Sequence, residues 1–159
     1  MHRLWTVAVL AFAMSATFST PAWATTPTVG TGTFTDSGFD TFFARQAGSS
    51  GVAFFETNFA GSFTGILTGS CSAFIEDTFE PNAPLIFSGS YTCTGSVDSH
   101  PGTFVLQFVG TQILSPTIQP YVGQLVLSGT GVLANVHGQG TFQGRACCGT
   151  YTVEVHFDP

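Results

Sequence analysis

The four cysteines are the residues of this 159-residue chain whose spacing points most directly to covalent chemistry. Cys71 and Cys93 fall on neighbouring strand candidates, and a hairpin centred on Asn82 places them opposite each other on an apolar face. In an oxidising compartment an opposed pair forms a structural disulfide, which we predict here. Cys147 and Cys148 are adjacent, so they join only in a strained turn, and a structural bridge or two reduced thiols are favoured over a redox role. Their pairing stays open, since four cysteines permit three connectivities.

Polar groups on apolar strand faces are the candidate binding residues, because a buried hydroxyl or carboxyl needs a hydrogen-bonding partner or a ligand. Asp77 shares a face with apolar neighbours near a strand end, which would place it at the mouth of a closed sheet. The alternative for every such residue is ordinary packing with the polar tip in water. We predict ligand contacts from four residues, with the first two leading: Tyr91, Tyr151, Tyr121 and Asp77.

The other ionisable residues show weaker patterns. His100, His137 and His156 lack metal-ligand spacing, so we predict no metal site. Glu154 shares a face with His156, but that threonine-rich face is expected to lie in solvent. Glu56 could act as a general acid or base if its side chain pointed into a closed sheet. Its position in the alternation of the strand, however, places it on the outer face. The sequence contains no nucleophile elbow, P-loop or dinucleotide fingerprint, so we expect no cofactor and assign no catalytic residue.

A repeated triplet places these side chains on β-strands: glycine, then Ser or Thr, then Phe or Tyr. In a strand, residues i and i+2 share a face, so each triplet sets a ring beside a glycine and lets the strand bend. The triplets start at Gly32, Gly61, Gly89, Gly102, Gly140 and Gly149. Alternation of apolar and polar residues predicts eight strands and no helix after the N-terminal segment. The predicted strands are 30–36, 52–60, 66–76, 85–97, 103–110, 121–134, 137–145 and 150–157.

Glycine and proline signals place the connections between these strands. The apolar stretch after residue 52 is too long for one strand and is predicted to reverse near Gly61 or Gly65. Residues 100–103 suit a type II turn, residues 135–138 form another tight reversal, and residues 39–50 form the longest connection. An even number of antiparallel strands lets the first and last strands pair, which favours an eight-stranded up-and-down β-barrel. A two-sheet β-sandwich is the alternative.

Several segments, ordered along nearly the whole chain after the N-terminal segment, carry a resemblance to a known family. They are GTFT at 32–35, GTFVLQ at 102–107, GTGVLA at 129–134, GQGTF at 138–142 and YTVE at 151–154. The chain resembles a family of small bacterial proteins of unknown function with an allene oxide cyclase-like, dirigent-like barrel. The resemblance implies an eight-stranded barrel and no assigned reaction. This sequence departs from the family pattern in having a signal peptide and four cysteines.

The N-terminus is typical of an export signal, with basic Arg3, an apolar stretch over 7–14 and a small-x-small site ending at Ala24. We predict cleavage after Ala24, a signal at 1–24, a single domain at 25–159, and a secreted or periplasmic product without a membrane anchor. A retained anchor is the alternative. Without the signal, two arginines face nine acidic residues, a net charge of −7 with His neutral, and the chain contains no lysine. A nucleic-acid partner is therefore excluded.

These patterns favour a secreted barrel whose aromatic interior binds a small apolar ligand, since eight-stranded barrels have room for one. A second interpretation is an isomerase or cyclase that positions its substrate in the cavity and excludes water. A third is a structural or interaction protein whose interior is filled by phenylalanine. Cavity volume separates the third interpretation from the other two, and a buried acid beside the cavity separates an enzyme from a binding protein. Ligand identity and oligomeric state stay open.

Overall fold

The computed structural model describes residues 26–114 and 119–159, which form eight β-strands and one short 3₁₀ helix. The predicted export signal, 1–24, lies outside the described residues. The 3₁₀ helix covers Gly131–Leu133. The strands are β1 (Thr28–Gln46), β2 (Ala53–Gly65), β3 (Leu67–Phe79), β4 (Leu85–Val97), β5 (His100–Gln112), β6 (Pro120–Thr130), β7 (Val136–Arg145) and β8 (Cys148–Phe157).

The eight strands form a ring-like antiparallel sheet. Each strand pairs with the next one along the chain, and β1 also pairs with β8, from Thr28 opposite Val155 to Thr35 opposite Cys148. The prediction of an all-β fold with eight antiparallel strands is confirmed, whereas the prediction of no helix is wrong at Gly131–Leu133, where the predicted strand 121–134 gives way to the 3₁₀ helix. Because side chains alternate across each strand, one half of them points into the ring and the other half into solvent.

The two ends of the ring have different connections. We call one end the turn end; there β2 meets β3, β4 meets β5 and β6 meets β7 through tight reversals. We call the opposite end the loop end; it carries the connections between β1 and β2, β3 and β4, β5 and β6, and β7 and β8. All eight strands run between these ends, so each contributes inward side chains to both.

Strand β1 is much longer than predicted. The sequence placed residues 39–50 in a connection, but β1 continues to Gln46 and pairs with β2 as far as Ala53. Register shifts lie between Ser37 and Asp40 and between Thr41 and Phe43. At the first shift Gly38 takes a positive φ of 66°, as in a bulge. The connection prediction was therefore wrong for residues 39–46, which belong to β1, whereas residues 47–50 do lie in the connection to β2.

The predicted type II turn at 100–103 is also wrong. The reversal between β4 and β5 lies at Asp98 and Ser99, whose φ angles of 46° and 69° are those of a two-residue hairpin loop. Residues 100–103 therefore belong to β5. The reversal predicted at 135–138 lies earlier, at 131–135, since Val136 already pairs in β7.

The predicted disulfide between Cys71 and Cys93 is present. The two residues are opposite each other in the β3–β4 register, with their Cα atoms 4.1 Å apart. The hairpin between them reverses at Asn82, as the spacing indicated. Closing a loop of this length stabilises a small domain by about 2–4 kcal/mol.

Most of the completely buried core residues lie toward the turn end. Their side chains are mainly aliphatic, and the described residues place no charged group among them. Burial of such side chains is the main contribution to the free energy of folding. The most completely buried members are Leu67, Val97, Phe104, Leu127, Val136, Val153 and Val155.

Candidate functional site

The interior of the ring toward the loop end is not filled but holds a cavity of about 340 Å³. This volume lies in the range of small-molecule sites. Half of the lining residues are aromatic, because inward positions of seven of the eight strands carry Phe or Tyr. The aromatic wall residues are Phe34, Phe39, Phe59, Phe63, Phe87, Phe108, Phe142, Tyr91, Tyr121 and Tyr151.

Tyr91, on β4, is held tightly in the aromatic wall. Its ring centroid lies 5.1 Å from that of Phe63 and 5.4 Å from that of Phe59, in edge-to-face arrangements, and 5.1 Å from that of Phe108. A side chain at Gly61 would collide with the Tyr91 ring, so this close approach requires glycine. The wall is therefore built before any ligand arrives.

The hydroxyl of Tyr91 donates a hydrogen bond of 3.0 Å to Asp36 Oδ1. Burial raises the pKa of Asp36 to about 6, although the hydrogen bond from Tyr91 acts in the opposite direction. Burial, together with the nearby Asp36 charge, raises the pKa of Tyr91 well above its usual range, so the phenol keeps its proton and remains a donor. Asp36 and Tyr91 therefore form a polar pair in an apolar wall.

Asp36 is the functional candidate that sequence reasoning missed. The backbone N–H of Asp36 donates to the carbonyl of Cys147, at 2.7 Å, which fixes β1 against the β7–β8 turn. Asp36 comes two residues after Phe34, so it shares the inward face of β1. The signal was present in that spacing, but the predicted strand ended at this residue.

Asp77 also borders the cavity, on β3 opposite Phe55 and Phe87 and close to the loop end. Burial raises its pKa to about 6. Its carboxyl has no hydrogen bond or ion pair to any residue of 26–114 or 119–159. The prediction that Asp77 contacts a ligand stays a prediction, but its side chain lies on the cavity wall.

The other two tyrosines use their hydroxyls differently. Tyr121 stands over Gly144, and its buried hydroxyl has no hydrogen-bond partner within the described part of the chain. The hydroxyl of Tyr151 accepts from the backbone N–H of Leu67, at 2.9 Å, and lies 3.0 Å from the carbonyl of Thr64, to which it donates. Tyr151 thus ties β8 to the β2–β3 reversal and presents mainly its ring to the cavity.

Cys147, in the β7–β8 turn, and Cys148, the first residue of β8, are exposed, unbridged thiols with their Sγ atoms 3.0 Å apart. The preceding residue, Ala146, has a φ of 53° and borders the cavity. The contact with Cys147 raises the pKa of the Cys148 thiol. Two accessible thiols therefore lie next to this border of the cavity.

The remaining candidates lie away from the cavity. His137 Nε2 is 3.2 Å and His156 Nε2 3.8 Å from the Asp158 carboxylate at the turn end, while Glu56 and Glu154 occupy outward positions. The described residues contain no group of three or more His, Cys, Asp or Glu side chains that would hold a metal ion. None of the described segments includes a helix with the length and apolar character needed to cross a membrane.

Comparison with known proteins places the chain in a family. Residues 16–154 match the model of a family described as "Protein of unknown function (DUF3224)". The chain belongs to the DUF3224 family. Its structure is similar to the crystal structure of a protein with unknown function from that family, from Shewanella oneidensis MR-1, with a TM-score of 0.67 and 19% identity over 84% of this chain and 99% of that one. This likeness supports the shared fold alone. Among curated proteins, none matches this DUF3224 chain.

Proposed function

We propose that this DUF3224 protein binds one small, largely apolar molecule inside the ring. The observation that carries the proposal is the cavity of about 340 Å³ with its aromatic wall at the loop end. Removing apolar ligand surface from water contributes about 25 cal/mol per Å². Because the Tyr91 ring is already packed against Phe59, Phe63 and Phe108, little of this binding free energy is lost to ordering the wall.

We extend the proposal to the architecture of the sheet and to the cellular compartment in which the protein works. We take the ring to be an up-and-down β-barrel of the allene oxide cyclase-like kind, and the chain to be exported with cleavage after Ala24. The disulfide between Cys71 and Cys93 supports an oxidising compartment. The protein would then meet its ligand outside the cytoplasm.

A second candidate function is an isomerase or cyclase-like reaction, which the two cavity carboxyls favour. Asp36 and Asp77 both have pKa values raised to about 6 by burial, close to the value at which a general acid or base works at neutral pH. An enzyme of this kind would turn over its substrate and lose turnover in Asp36→Asn or Asp77→Asn. A binding protein would release the ligand unchanged.

The binding proposal is tested by plugging the mouth of the cavity. Ala146 is exposed and borders the cavity at the loop end, so Ala146→Trp fills the entrance without disturbing the buried core. Ala134 is equally exposed but lies at the turn end, which makes Ala134→Trp the matched control. We expect a hydrophobic fluorescent probe to bind saturably to the wild-type protein and to Ala134→Trp, and about tenfold or more weaker to Ala146→Trp.

Two outcomes would contradict the proposal. The first is that no apolar probe from a broad panel binds saturably to the wild-type protein. The second is that both tryptophan variants weaken binding equally, which would place the probe outside the cavity. Circular dichroism of each variant checks that the β-sheet is retained.

A further inference from the structure

The charge inside the cavity has one sign only. Among the described residues that line it, the two charged groups are the carboxyls of Asp36 and Asp77, and none is Lys, Arg or His. Both arginines of the described chain are elsewhere: the Arg45 guanidinium lies 4.9 Å from the centre of the Phe54 ring, and Arg145 is exposed at an outward position of β7. Residues 26–114 and 119–159 therefore supply no basic side chain that would neutralise these carboxylates inside the cavity.

Asp77 is the member of the pair that lacks a partner. Asp36 accepts a hydrogen bond from Tyr91, whereas the Asp77 carboxyl contacts no donor in the described chain. A half-buried carboxylate without a donor is costly unless something else supplies a proton or a positive charge. The open acceptor at Asp77 is thus available to a ligand.

The aromatic wall is suited to the same kind of group. Ring faces attract cations, most strongly where water is excluded. Tyr121 is only 8% exposed and its hydroxyl is buried against Gly144, so Tyr121 offers its ring to the cavity and not its hydroxyl.

We propose that the ligand of the cavity is an amphiphilic organic amine, whose cationic nitrogen is held by Asp77 with Asp36 adding a second negative charge, and whose apolar body lies against the aromatic wall. This inference rests on the proposed binding function and states the ligand's chemical class. An organic acid of the same shape is disfavoured by the two carboxylates, because like charges repel and no basic side chain lines the cavity in the described part of the chain.

The test compares three probes of one shape that differ in a single group: 1-naphthylmethylamine, 1-naphthylmethanol and 1-naphthoic acid. Each is titrated into the wild-type protein at pH 7.5 and followed by calorimetry. We expect the amine to bind about tenfold or more tighter than the alcohol, and the acid to bind more weakly than both.

Substitutions then assign the preference to the carboxyls. Asp77→Asn and Asp36→Asn should each reduce the amine-to-alcohol affinity ratio toward one, because each removes a negative charge that attracts the amine and not the alcohol. Glu76→Gln is the matched control, since Glu76 adjoins Asp77 on β3 but is exposed on the outer face. It removes one negative charge without touching the cavity, so it should keep the wild-type ratio.

The outcomes separate this inference from the function on which it rests. Equal affinity for amine and alcohol in the wild-type protein would overturn the amine inference and leave apolar binding standing. If none of the three probes binds, the binding function itself fails. An unchanged ratio in both aspartate variants would overturn the assignment to Asp77 and Asp36. The wild-type comparison needs no variant, so it decides the ligand class even if an aspartate variant does not fold.

Discussion

The turn end and the loop end of the ring are built by the same eight strands but have opposite characters. On β5, Phe104 lies nearer the turn end and is completely buried, whereas Phe108, four residues further on, borders the cavity. On β6, Leu127 and Tyr121 differ in the same way. At the turn end the core is apolar and closely packed, as is usual for a protein interior. The loop end differs in two ways, because its interior holds a cavity and two carboxyl groups. Such local departures from good packing mark the part of a fold in which function is expected.

The largest expected effect is a difference in stability loss between two Phe→Ala substitutions, one at each end of the ring. Phe104→Ala should lower the free energy of unfolding by about 3–5 kcal/mol, because it opens a new space in the filled core. Phe108→Ala should cost about half as much, since Phe108 already borders a cavity and loses fewer contacts. Urea unfolding of both variants measures the difference. Equal losses would mean that the loop end is packed as densely as the turn end.

A smaller effect distinguishes two tyrosine hydroxyls. Tyr151→Phe removes a hydroxyl that bonds to the backbone of Leu67 and Thr64, so we expect a loss of about 1–2 kcal/mol. Tyr121→Phe removes a buried hydroxyl that has no partner in the described residues, so its stability should stay within about 0.5 kcal/mol of the wild type or increase. Thermal and urea unfolding of the two variants check this. A larger loss in Tyr121→Phe would mean that its hydroxyl is bonded in solution.

The smallest expected effect is the pH dependence contributed by the loop end. The pKa values of Asp36 and Asp77 are about 6 in the folded chain and 3.8 as ordinary side chains, so the folded state holds their protons more tightly. The resulting stability is fully present below pH 4 and is lost as the pH rises through 6. The double variant Asp36→Asn, Asp77→Asn should therefore lose part of the wild-type fall in Tm between pH 4.5 and pH 7.5.

The control for this prediction is Glu76→Gln, which removes one exposed carboxyl from the outer face of the same sheet. It should keep the wild-type change in Tm over this pH range. If the double aspartate variant also keeps it, the two cavity carboxyls are not desolvated in the folded protein.

Strand order and disulfide pairing could be predicted because both depend on local spacing. Eight polar–apolar alternations predicted eight strands, and the midpoint of Cys71 and Cys93 predicted their hairpin and their bond. Predictions failed where two local structures use the same residues. Residues 39–46 were predicted as part of a connection, but Gly38 suits a bulge as well as a turn, and pairing with β2 continues β1 to Gln46.

The amino-acid sequence by itself determined the all-β class and the inward face of most strands. It also determined that the chain has no lysine whose positive charge could neutralise a carboxylate in the cavity. Only the tertiary structure decided that Asp36 faces Tyr91, that Asp77 lacks a partner, and that the aromatic rings leave a space instead of filling it. The physical reason is that strand periodicity is a property of neighbours along the chain, whereas burial, pKa and cavity volume depend on side chains brought together from strands far apart in sequence.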